Sequence, residues 1–375
     1  MTDSRPRRIG LVLGGGGLKG FAHLGVIRAL EERGIRPVLF AGTSIGALIA
    51  TAYAGGMSVD EMARRAQSLR RRDLFRLNHV GMLLARMRST SLYLEETLRA
   101  LCDNVCPRGS FTDCSVPVLV NTVDLERGTQ LVWGLPGLRD VSVRDAVYAS
   151  CALPGFFPPG RVGDRLCIDG GTIDNLPVSV AATAPTGGDG STEPVDALIA
   201  VDVGSGELGH DADVATQGFA SIYMRAATTM MHALQETPLA RWSGPPMVLV
   251  RPRIGHISWF SFDDTPALIA EGYRAANEAL DHLGEALASH GGVFPRRAVR
   301  LTVDEDRCTG CGLCVALAPQ IMGLDARRKA YALTHVLEWS PADGDFVRHC
   351  PTDAIGVQRI ERRPNLAIRP DETAA

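Results

Sequence analysis

A serine between an apolar run and an alanine-rich run is the first residue of this sequence whose surroundings suit chemistry. Ser44 is the centre of Gly42-Thr-Ser-Ile-Gly46, a G-x-S-x-G pattern that follows the apolar run Val38 to Ala41. The two glycines let the chain turn sharply from a strand into a helix, so that the hydroxyl group projects at the positive end of the helix. The pattern predicts that Ser44 is a nucleophile, although a glycine-rich turn with an ordinary serine fits the pentapeptide equally well.

A second glycine-rich loop lies upstream, between a strand predicted at Ile9 to Leu13 and a helix predicted at Phe21 to Arg33. Its sequence is Gly14-Gly-Gly-Gly-Leu-Lys-Gly20, and three functions compete for it. The spacing satisfies the dinucleotide pattern G-x-G-x-x-G, but the acidic residue expected after the second strand is absent. A phosphate-binding P-loop needs serine or threonine after its lysine, and glycine follows Lys19 instead. The third function is an oxyanion hole for Ser44, because neighbouring parallel strands end at the same edge of a sheet.

An aspartate is the candidate proton acceptor. Asp169 is followed by Gly170 and Gly171 and ends a strand predicted at Arg165 to Ile168. The glycines allow another loop to approach the carboxylate, which would act as a general base towards Ser44. A free aspartate, with a pKa of about 3.9, is a weak base near neutral pH, so this role requires burial or a geometry that tightens on substrate binding. An ordinary Asp-Gly turn is the alternative.

Together the three motifs resemble those of the patatin-like phospholipase family, in the same order, over about residues 8–285. The resemblance implies an α/β fold, a three-layer hydrolase with a mainly parallel sheet, and a lipid or other acyl ester as the substrate. It implies that Ser44 and Asp169 form a dyad without histidine, while the backbone amides of the glycine loop hold the oxyanion. The loop residues in this role are Gly15, Gly16 and Gly17, and the motifs are completed by Lys19, Gly20, Gly42, Gly46, Gly170 and Gly171.

A Ser-His-Asp triad is the rival mechanism. The downstream histidines His210, His232 and His256 satisfy the chain order Ser, Asp, His that α/β-hydrolases use. His23 belongs to the helix predicted after the glycine loop and is interpreted as a packing residue.

Four of the nine cysteines form a separate group near the C-terminus. Cys308-Thr-Gly-Cys-Gly-Leu-Cys314 is a C-x2-C-x2-C pattern, and Cys350 precedes a proline. Thiolates at this spacing bind three corners of an iron–sulfur cubane, and a distant Cys-Pro supplies the fourth ligand. Residues 298–361 resemble a bacterial single-cluster ferredoxin, which implies a small α+β domain with one 4Fe-4S cluster held by Cys308, Cys311, Cys314 and Cys350. Ala318 stands where a two-cluster ferredoxin has a further ligand. A zinc site is the alternative, and a 3Fe-4S cluster also fits.

The length of 375 residues suggests two domains. We expect an acyl hydrolase domain over residues 8–287, a linker over 288–297, a ferredoxin domain over 298–361 and a tail over 362–375. The net charge of −3 argues against nucleic acid as the main partner. The sequence has no uninterrupted apolar run of about 20 residues that would span a membrane, and the cysteine pattern favours a reducing, cytoplasmic setting.

Residues 64–88 are helical in pattern and contain eight arginines and one aspartate. Leucines and methionines are interleaved with the arginines, so the segment is a candidate for peripheral contact with an anionic membrane surface. A solvated helix pair that covers the sheet is the alternative.

The sequence therefore predicts a serine acyl hydrolase of the lipase or phospholipase type, fused to an electron-transfer or redox-sensing module. The alternative is an electron-transfer protein, with an electron donor or acceptor protein as its partner, in which the hydrolase fold acts as a docking module. A third hypothesis joins the two, with the redox state of the cluster gating hydrolysis or the cluster holding a structural interface.

Overall fold

The structure is a computed structural model that describes residues 7–77, 91–186, 193–204 and 218–360. The chain divides into two compact units, the first ending at Phe294 and the second beginning at Pro295. The glycine-rich sequence from Ala184 to Glu193 predicts a surface insertion, of which residues 187–192 lie outside the described residues. His210, the tail from 362 onward and residues 78–90 of the arginine-rich segment also lie outside them.

The first unit is built on a nine-stranded, mainly parallel sheet. Its strands are β1 (Ile9–Leu13), β2 (Leu39–Thr43), β3 (Val118–Asp124), β4 (Thr129–Trp133), β5 (Gly160–Val162), β6 (Arg165–Asp169), β7 (Ala197–Val201), β8 (Met247–Val250) and β9 (Val293–Phe294). Their order is β5-β6-β3-β2-β1-β7-β8-β9, and β4 pairs with β3. β1 is parallel to both β2 and β7, so the glycine loop after β1 and Ser44 after β2 emerge at the same edge. β6 runs antiparallel to β3 and brings Asp169 opposite Thr122.

Helices cover the sheet and form the outer layers of the fold. They are α1 (Ala22–Glu32), α2 (Ile45–Ala54), α3 (Val59–Ser68), α4 (Arg71–Leu74), α5 (Glu95–Val105), α6 (Val143–Cys151), α7 (Val178–Thr183), α8 (Phe219–Ala240), α9 (Thr265–Leu280) and α10 (Leu283–Ala288). Every residue of β1, β2 and β7 is buried, as expected of parallel strands covered on both faces. This arrangement is the three-layer α/β fold with a mainly parallel sheet that the sequence predicts.

The second unit is a small α+β domain, also as predicted. Its elements are β10 (Arg297–Val303), α11 (Leu313–Leu317), β11 (Met322–Leu324), β12 (Ala330–Ala332), β13 (Val336–Trp339), α12 (Asp345–Arg348) and β14 (Ile355–Arg359). β10 is the central strand of an antiparallel sheet, between β13 and β14, while β11 and β12 form a hairpin. Two of the four clustered cysteines, Cys308 and Cys314, are part of its buried core.

Three element boundaries differ from the sequence expectation. The sequence from Phe219 to Leu234 predicts a helix, and in the structure this helix continues as α8 to Ala240, although Pro238 lies in its last turn. The sequence from Thr265 to Leu287 also predicts a helix, and the structure divides it into α9 and α10. The expected linker over 288–297 contains β9, which pairs with β8 and therefore belongs to the first unit, and its last residue begins β10. Among the described residues, no helix is both long enough and apolar enough to cross a bilayer.

Candidate active site

Ser44 lies in a strained turn between β2 and α2. Its φ of 55° and ψ of −126° lie in a sparsely populated region whose cost is about 1–3 kcal/mol for a residue with a Cβ atom. The turn also requires glycine at position 46, where a Cβ atom would lie 2.0 Å from the carbonyl oxygen of Leu13. The Ser44 N–H donates to the Ser150 hydroxyl at 2.8 Å, and this hydroxyl donates to the Asn121 carbonyl at 2.6 Å. A buried serine of α6 thus holds the turn in place.

Asp169 meets Ser44 from the end of β6. The Ser44 side chain lies close enough to the Asp169 carboxylate to influence its pKa, and Oδ1 of this carboxylate accepts from the N–H of Gly171 at 2.8 Å. Asp169 is buried, with 5% of its surface exposed. Burial raises the pKa of Asp169 to about 6, because the Ser44 side chain and the Gly171 N–H offset only part of the cost of removing the charge from water. The carboxylate is therefore a stronger base than a free aspartate.

The glycine loop lies against Ser44. A Cβ atom at Gly15 would lie 3.2 Å from the Cβ atom of Ser44. However, the Gly15 N–H donates to the Asn175 carbonyl at 3.2 Å, and this hydrogen bond removes Gly15 from the predicted oxyanion donors. The N–H of Leu18 is likewise bonded, to the carbonyl of Trp259 at 2.9 Å. Gly16 and Gly17 are left as the candidate donors of the loop.

Asn175 fixes this loop through both its backbone and its side chain. Its Nδ2 donates to the Gly15 carbonyl at 3.1 Å, so that both polar groups of Gly15 are bonded to one residue. Asn175 also reaches the other half of the site, because a Cβ atom at Gly171 would lie 2.9 Å from its Oδ1. The glycine loop and the loop of Asp169 therefore share a common support.

Two titratable residues of the glycine loop and α1 are buried. Lys19 is 7% exposed, and burial lowers its pKa to about 8. His23 is fully buried with its Nε2 atom 2.8 Å from the Gly14 carbonyl oxygen, and burial lowers its pKa to about 4. A neutral His23 donates to this carbonyl and so stabilises the glycine loop. This agrees with its interpretation as a packing residue.

Two histidines of the rival triad, His232 and His256, lie within the described residues. His232 lies on α8 with its Nδ1 atom 3.9 Å from the Glu236 carboxylate, and His256 is exposed. The pKa of Asp169 is set by burial, by the Ser44 side chain and by the Gly171 N–H, and no described histidine contributes to it.

An apolar cavity opens beside the nucleophile. It occupies about 780 Å³, including its solvent-open part, and Ser44 is one of its lining residues. Leucine, isoleucine and methionine side chains of α1 to α5 supply much of the wall, together with Leu18 and Phe21, which precede α1. Among the described lining residues only Arg65 is charged, and it is held by Glu61 at 2.7 Å and by the Asn104 carbonyl at 2.7 Å. A cavity of this composition suits a hydrocarbon chain.

Aromatic rings surround the loop that follows α6. Phe156 packs on Tyr223 of α8 and on Phe260, with ring centroids 6.3 Å and 5.6 Å apart. Phe260 contacts Phe75 at 5.2 Å, and the guanidinium group of Arg71 lies over the Phe75 ring at 5.8 Å. The rings therefore form a continuous contact from α8 to the arginines of α4.

The arginine-rich segment is only partly described. Arg64 and Arg65 both pair with Glu61 on α3, so part of the positive charge expected there is neutralised. The three residues Arg70, Arg71 and Arg72 are exposed at α4. The exposed arginines are the part of this segment that remains a candidate for contact with anionic lipid.

The four clustered cysteines of the second unit line one cavity of about 350 Å³. Backbone N–H groups point at two of the sulfur atoms, from Ala330 to Cys308 at 3.4 Å and from Ala354 to Cys350 at 3.3 Å. The described side chains that line the cavity include no charged group, so four thiolates with N–H donors around them fit an iron–sulfur cluster. The described residues hold no group of three or more side chains spaced like the ligands of one metal ion, and ligands of a cubane are spread around a larger core.

Ser150 and Asn175 are positioning residues that the sequence did not indicate. Ser150 contacts a backbone group 106 residues away, and Asn175 contacts one 160 residues away. Contacts between residues so far apart in the chain depend on the order of the strands in the sheet. They produce no local pattern of residue types in the sequence. Only the fold brings these residues to the site.

Comparisons with known proteins find two family models in the chain. The model described as patatin-like phospholipase matches residues 11–182, and a model described as a 4Fe-4S single cluster domain matches residues 301–357.

An uncharacterised NTE family protein of Mycobacterium tuberculosis is 32% identical over 315 residues, which are 77% of this chain and 82% of the relative. Human patatin-like phospholipase domain-containing protein 6 is 32% identical over 212 residues, 56% of this chain and 14% of that protein. Among solved structures, VipD from Legionella pneumophila is similar with 17% identity and a TM-score of 0.38, over 76% of this chain and 68% of that one.

Proposed function

Because this chain belongs to the patatin-like phospholipase family of lipid acyl hydrolases, within its NTE group, we propose that it cleaves long-chain acyl esters with Ser44 as nucleophile and Asp169 as general base. Family membership confirms the resemblance drawn from the three motifs. The observation that carries the proposal is that one side chain, Ser44, borders both a buried carboxylate and an apolar cavity.

In the first half of the reaction, the Ser44 Oγ attacks the ester carbonyl carbon while its proton moves to Asp169. The negative charge that develops on the carbonyl oxygen is stabilised by the N–H groups of Gly16 and Gly17. When the tetrahedral intermediate collapses, the C–O bond to the alcohol breaks and the alkoxide takes the proton from Asp169. The acyl chain, now bonded to Ser44, occupies the apolar cavity.

In the second half, a water molecule attacks the acyl-enzyme and gives its proton to Asp169. Collapse of the second intermediate returns this proton to the Ser44 oxygen and releases the fatty acid. The raised pKa of Asp169 supports both steps, since a carboxylate with a pKa of about 6 accepts a proton more readily and is still ionised at neutral pH.

The experiment compares wild type with Ser44→Ala and Asp169→Asn on short-chain and long-chain nitrophenyl esters and on a lysophospholipid. Ser179→Ala, at an exposed serine of α7, is the matched control. We expect kcat/KM to fall by roughly three orders of magnitude or more in both site variants and to be unchanged in the control. If Ser44→Ala kept more than a tenth of the activity, the assignment of the nucleophile would be wrong.

We propose that Cys308, Cys311, Cys314 and Cys350 hold one 4Fe-4S cluster in the second unit. Such a cluster supplies one-electron transfer, and the two N–H···S contacts stabilise negative charge on its sulfur ligands. Anaerobically prepared protein should contain four irons and four sulfides per chain, in accordance with the cubane formula. One tightly bound zinc per chain and no iron would favour the alternative.

The role of the cluster is tested by measuring ester hydrolysis with the cluster oxidised and then reduced. A rate that depends on the oxidation state indicates a redox-sensing module. Equal rates leave electron transfer to a donor or acceptor protein, or a structural role, for the second unit.

A further inference from the structure

Helix α8 (Phe219–Ala240) has its polar and apolar sides reversed relative to a helix that packs on a core. Among residues 221–240, the buried positions include Thr228, His232, Gln235 and Glu236. Met230, Leu234 and Ile222 are instead 60%, 51% and 49% exposed. None of the exposed positions carries a charge; they are Ile222, Ala226, Thr229, Met230, Ala233, Leu234, Thr237, Pro238 and Ala240.

These exposed positions form one continuous stripe, called here the outer face of α8. At 100° per residue they fall on one side of the helix, and from Ile222 to Ala240 the face runs for about 27 Å at 1.5 Å per residue. Soluble proteins rarely expose a contiguous uncharged apolar surface of this length unless another molecule covers it.

An ion network fixes which side of α8 faces outward. Glu236 pairs with the guanidinium group of Arg251, whose Nε donates to Asp202 at 3.0 Å. The side chains of Asp202 and Glu236 are 0% and 8% exposed. If the helix turned to bury Met230 and Leu234, the ion pair between Glu236 and Arg251 would break, which is costly for a pair removed from water. The outer face is therefore held towards solvent.

Helix α8 also packs against two loops of the candidate active site. The Tyr223 hydroxyl donates to the carbonyl of Pro154 at 3.3 Å, and the Tyr223 ring packs on Phe156. On the next turns, a Cβ atom at Gly171 would lie 3.2 Å from the Cε atom of Met231, and Gly171 is the residue whose N–H binds Asp169. The outer face thus lies on the same helix that contacts the loop of the catalytic carboxylate.

We infer that the outer face of α8 is the surface by which this protein lies on a phospholipid bilayer. The inference rests on the proposed function, since a hydrolase of lipid esters with an apolar cavity at its nucleophile must receive hydrocarbon chains from a lipid phase. Contact of this uncharged face with a bilayer would bring the helix that packs on the Asp169 loop to the lipid surface. A chain of ring contacts leads from Tyr223 of the same helix to Arg71, an exposed arginine that would meet lipid phosphates.

The experiment uses the full-length protein and vesicles of phosphatidylcholine, alone and mixed with phosphatidylglycerol. Binding is measured by flotation for wild type, for Met230→Glu/Leu234→Glu and for a matched control, Ala267→Glu/Ala270→Glu, which adds the same charge to exposed positions of α9. We expect the α8 variant to bind phosphatidylcholine vesicles at least tenfold less than wild type, because two apolar side chains no longer enter the interface. The control should bind as wild type does.

Hydrolysis separates this inference from the proposed function. The α8 variant should keep its activity on a water-soluble short-chain ester and lose at least tenfold on a long-chain ester presented in vesicles. If wild type cleaved neither ester but bound vesicles through α8, the proposed function would fail and the docking surface would stand. Equal vesicle binding by wild type and the α8 variant would overturn the inference. It would also be overturned if wild type were a dimer in solution that the α8 variant dissolved, since a second copy would then cover the face.

Discussion

Replacing Asp169 with asparagine should make the folded protein more stable at neutral pH while it abolishes hydrolysis. Burial raises the pKa of this carboxyl group from 3.8 to about 6, so the folded state favours the protonated form. At 1.36 kcal/mol per pKa unit, keeping Asp169 ionised costs the folded state about 3 kcal/mol. Asparagine has no charge to desolvate, and its carbonyl oxygen can still accept the Gly171 N–H.

The sign of the pH dependence follows from linkage. A raised folded-state pKa means that the stability associated with the protonated carboxyl is lost as pH rises from about 4 to about 6. The free energy of unfolding of Asp169→Asn should therefore exceed that of wild type by about 3 kcal/mol at pH 8 and by only about 1 kcal/mol at pH 4.5.

Urea unfolding of wild type and Asp169→Asn at a series of pH values from 4.5 to 8 measures this difference. Asp263→Asn, at an exposed aspartate, controls for the change of charge. If Asp169→Asn were less stable than wild type at pH 8, or if its stability difference did not change with pH, burial of an ionised carboxylate could not be the source of its raised pKa.

Four further predictions concern the two sites. The acid limb of kcat/KM should lie near pH 6, with a tenfold fall per pH unit below it, because only ionised Asp169 accepts the proton; a limb below pH 5 would contradict this. Ser150→Ala leaves the Ser44 N–H unpaired at a cost of about 1–3 kcal/mol, so kcat should fall by roughly tenfold to a hundredfold with little change in KM, and Ser150→Thr should restore part of it. Leu101→Trp fills part of the apolar cavity and should lower kcat/KM for a hexadecanoyl ester at least tenfold more than for a butanoyl ester; equal losses would exclude the cavity as the acyl site. Cys311→Ala removes one of four thiols, so iron analysis and electron paramagnetic resonance should detect a three-iron cluster or no cluster, and an unchanged iron content would refute its role as a ligand.

The sequence predicted those parts of the site that depend on short, contiguous patterns. The glycine turn at Ser44 and the placement of Asp169 at a strand end follow from local backbone requirements, which glycine spacing expresses directly. The cysteine spacing predicted a second module in the same way. Such patterns predict the structure correctly because the residues that act together are neighbours in the chain.

Features that depend on tertiary partners could not be predicted. Gly15 looked equivalent to Gly16 and Gly17 as an oxyanion donor until the fold supplied the Asn175 carbonyl as its acceptor. Strand β9 (Val293–Phe294) is too short to produce a periodic pattern of apolar residues, so the sequence predicts only a linker there. The sequence from Phe219 to Leu234 predicts a helix, but the orientation of α8 is set by an ion pair with Arg251, which comes from another part of the chain.

The two hydrogen bonds between Asn175 and Gly15 have a consequence for the evolution of this enzyme. Asp169 and Asn175 lie in one short stretch, and one supplies the proton acceptor while the other anchors the loop that faces it. A single inserted or deleted residue between them would disturb both halves of the chemistry at once, so their separation should vary less among homologous genes than either flanking region. A search for remote homologues that requires an asparagine at this distance after Asp-Gly-Gly should reject chance matches that the three-residue motif alone lets through.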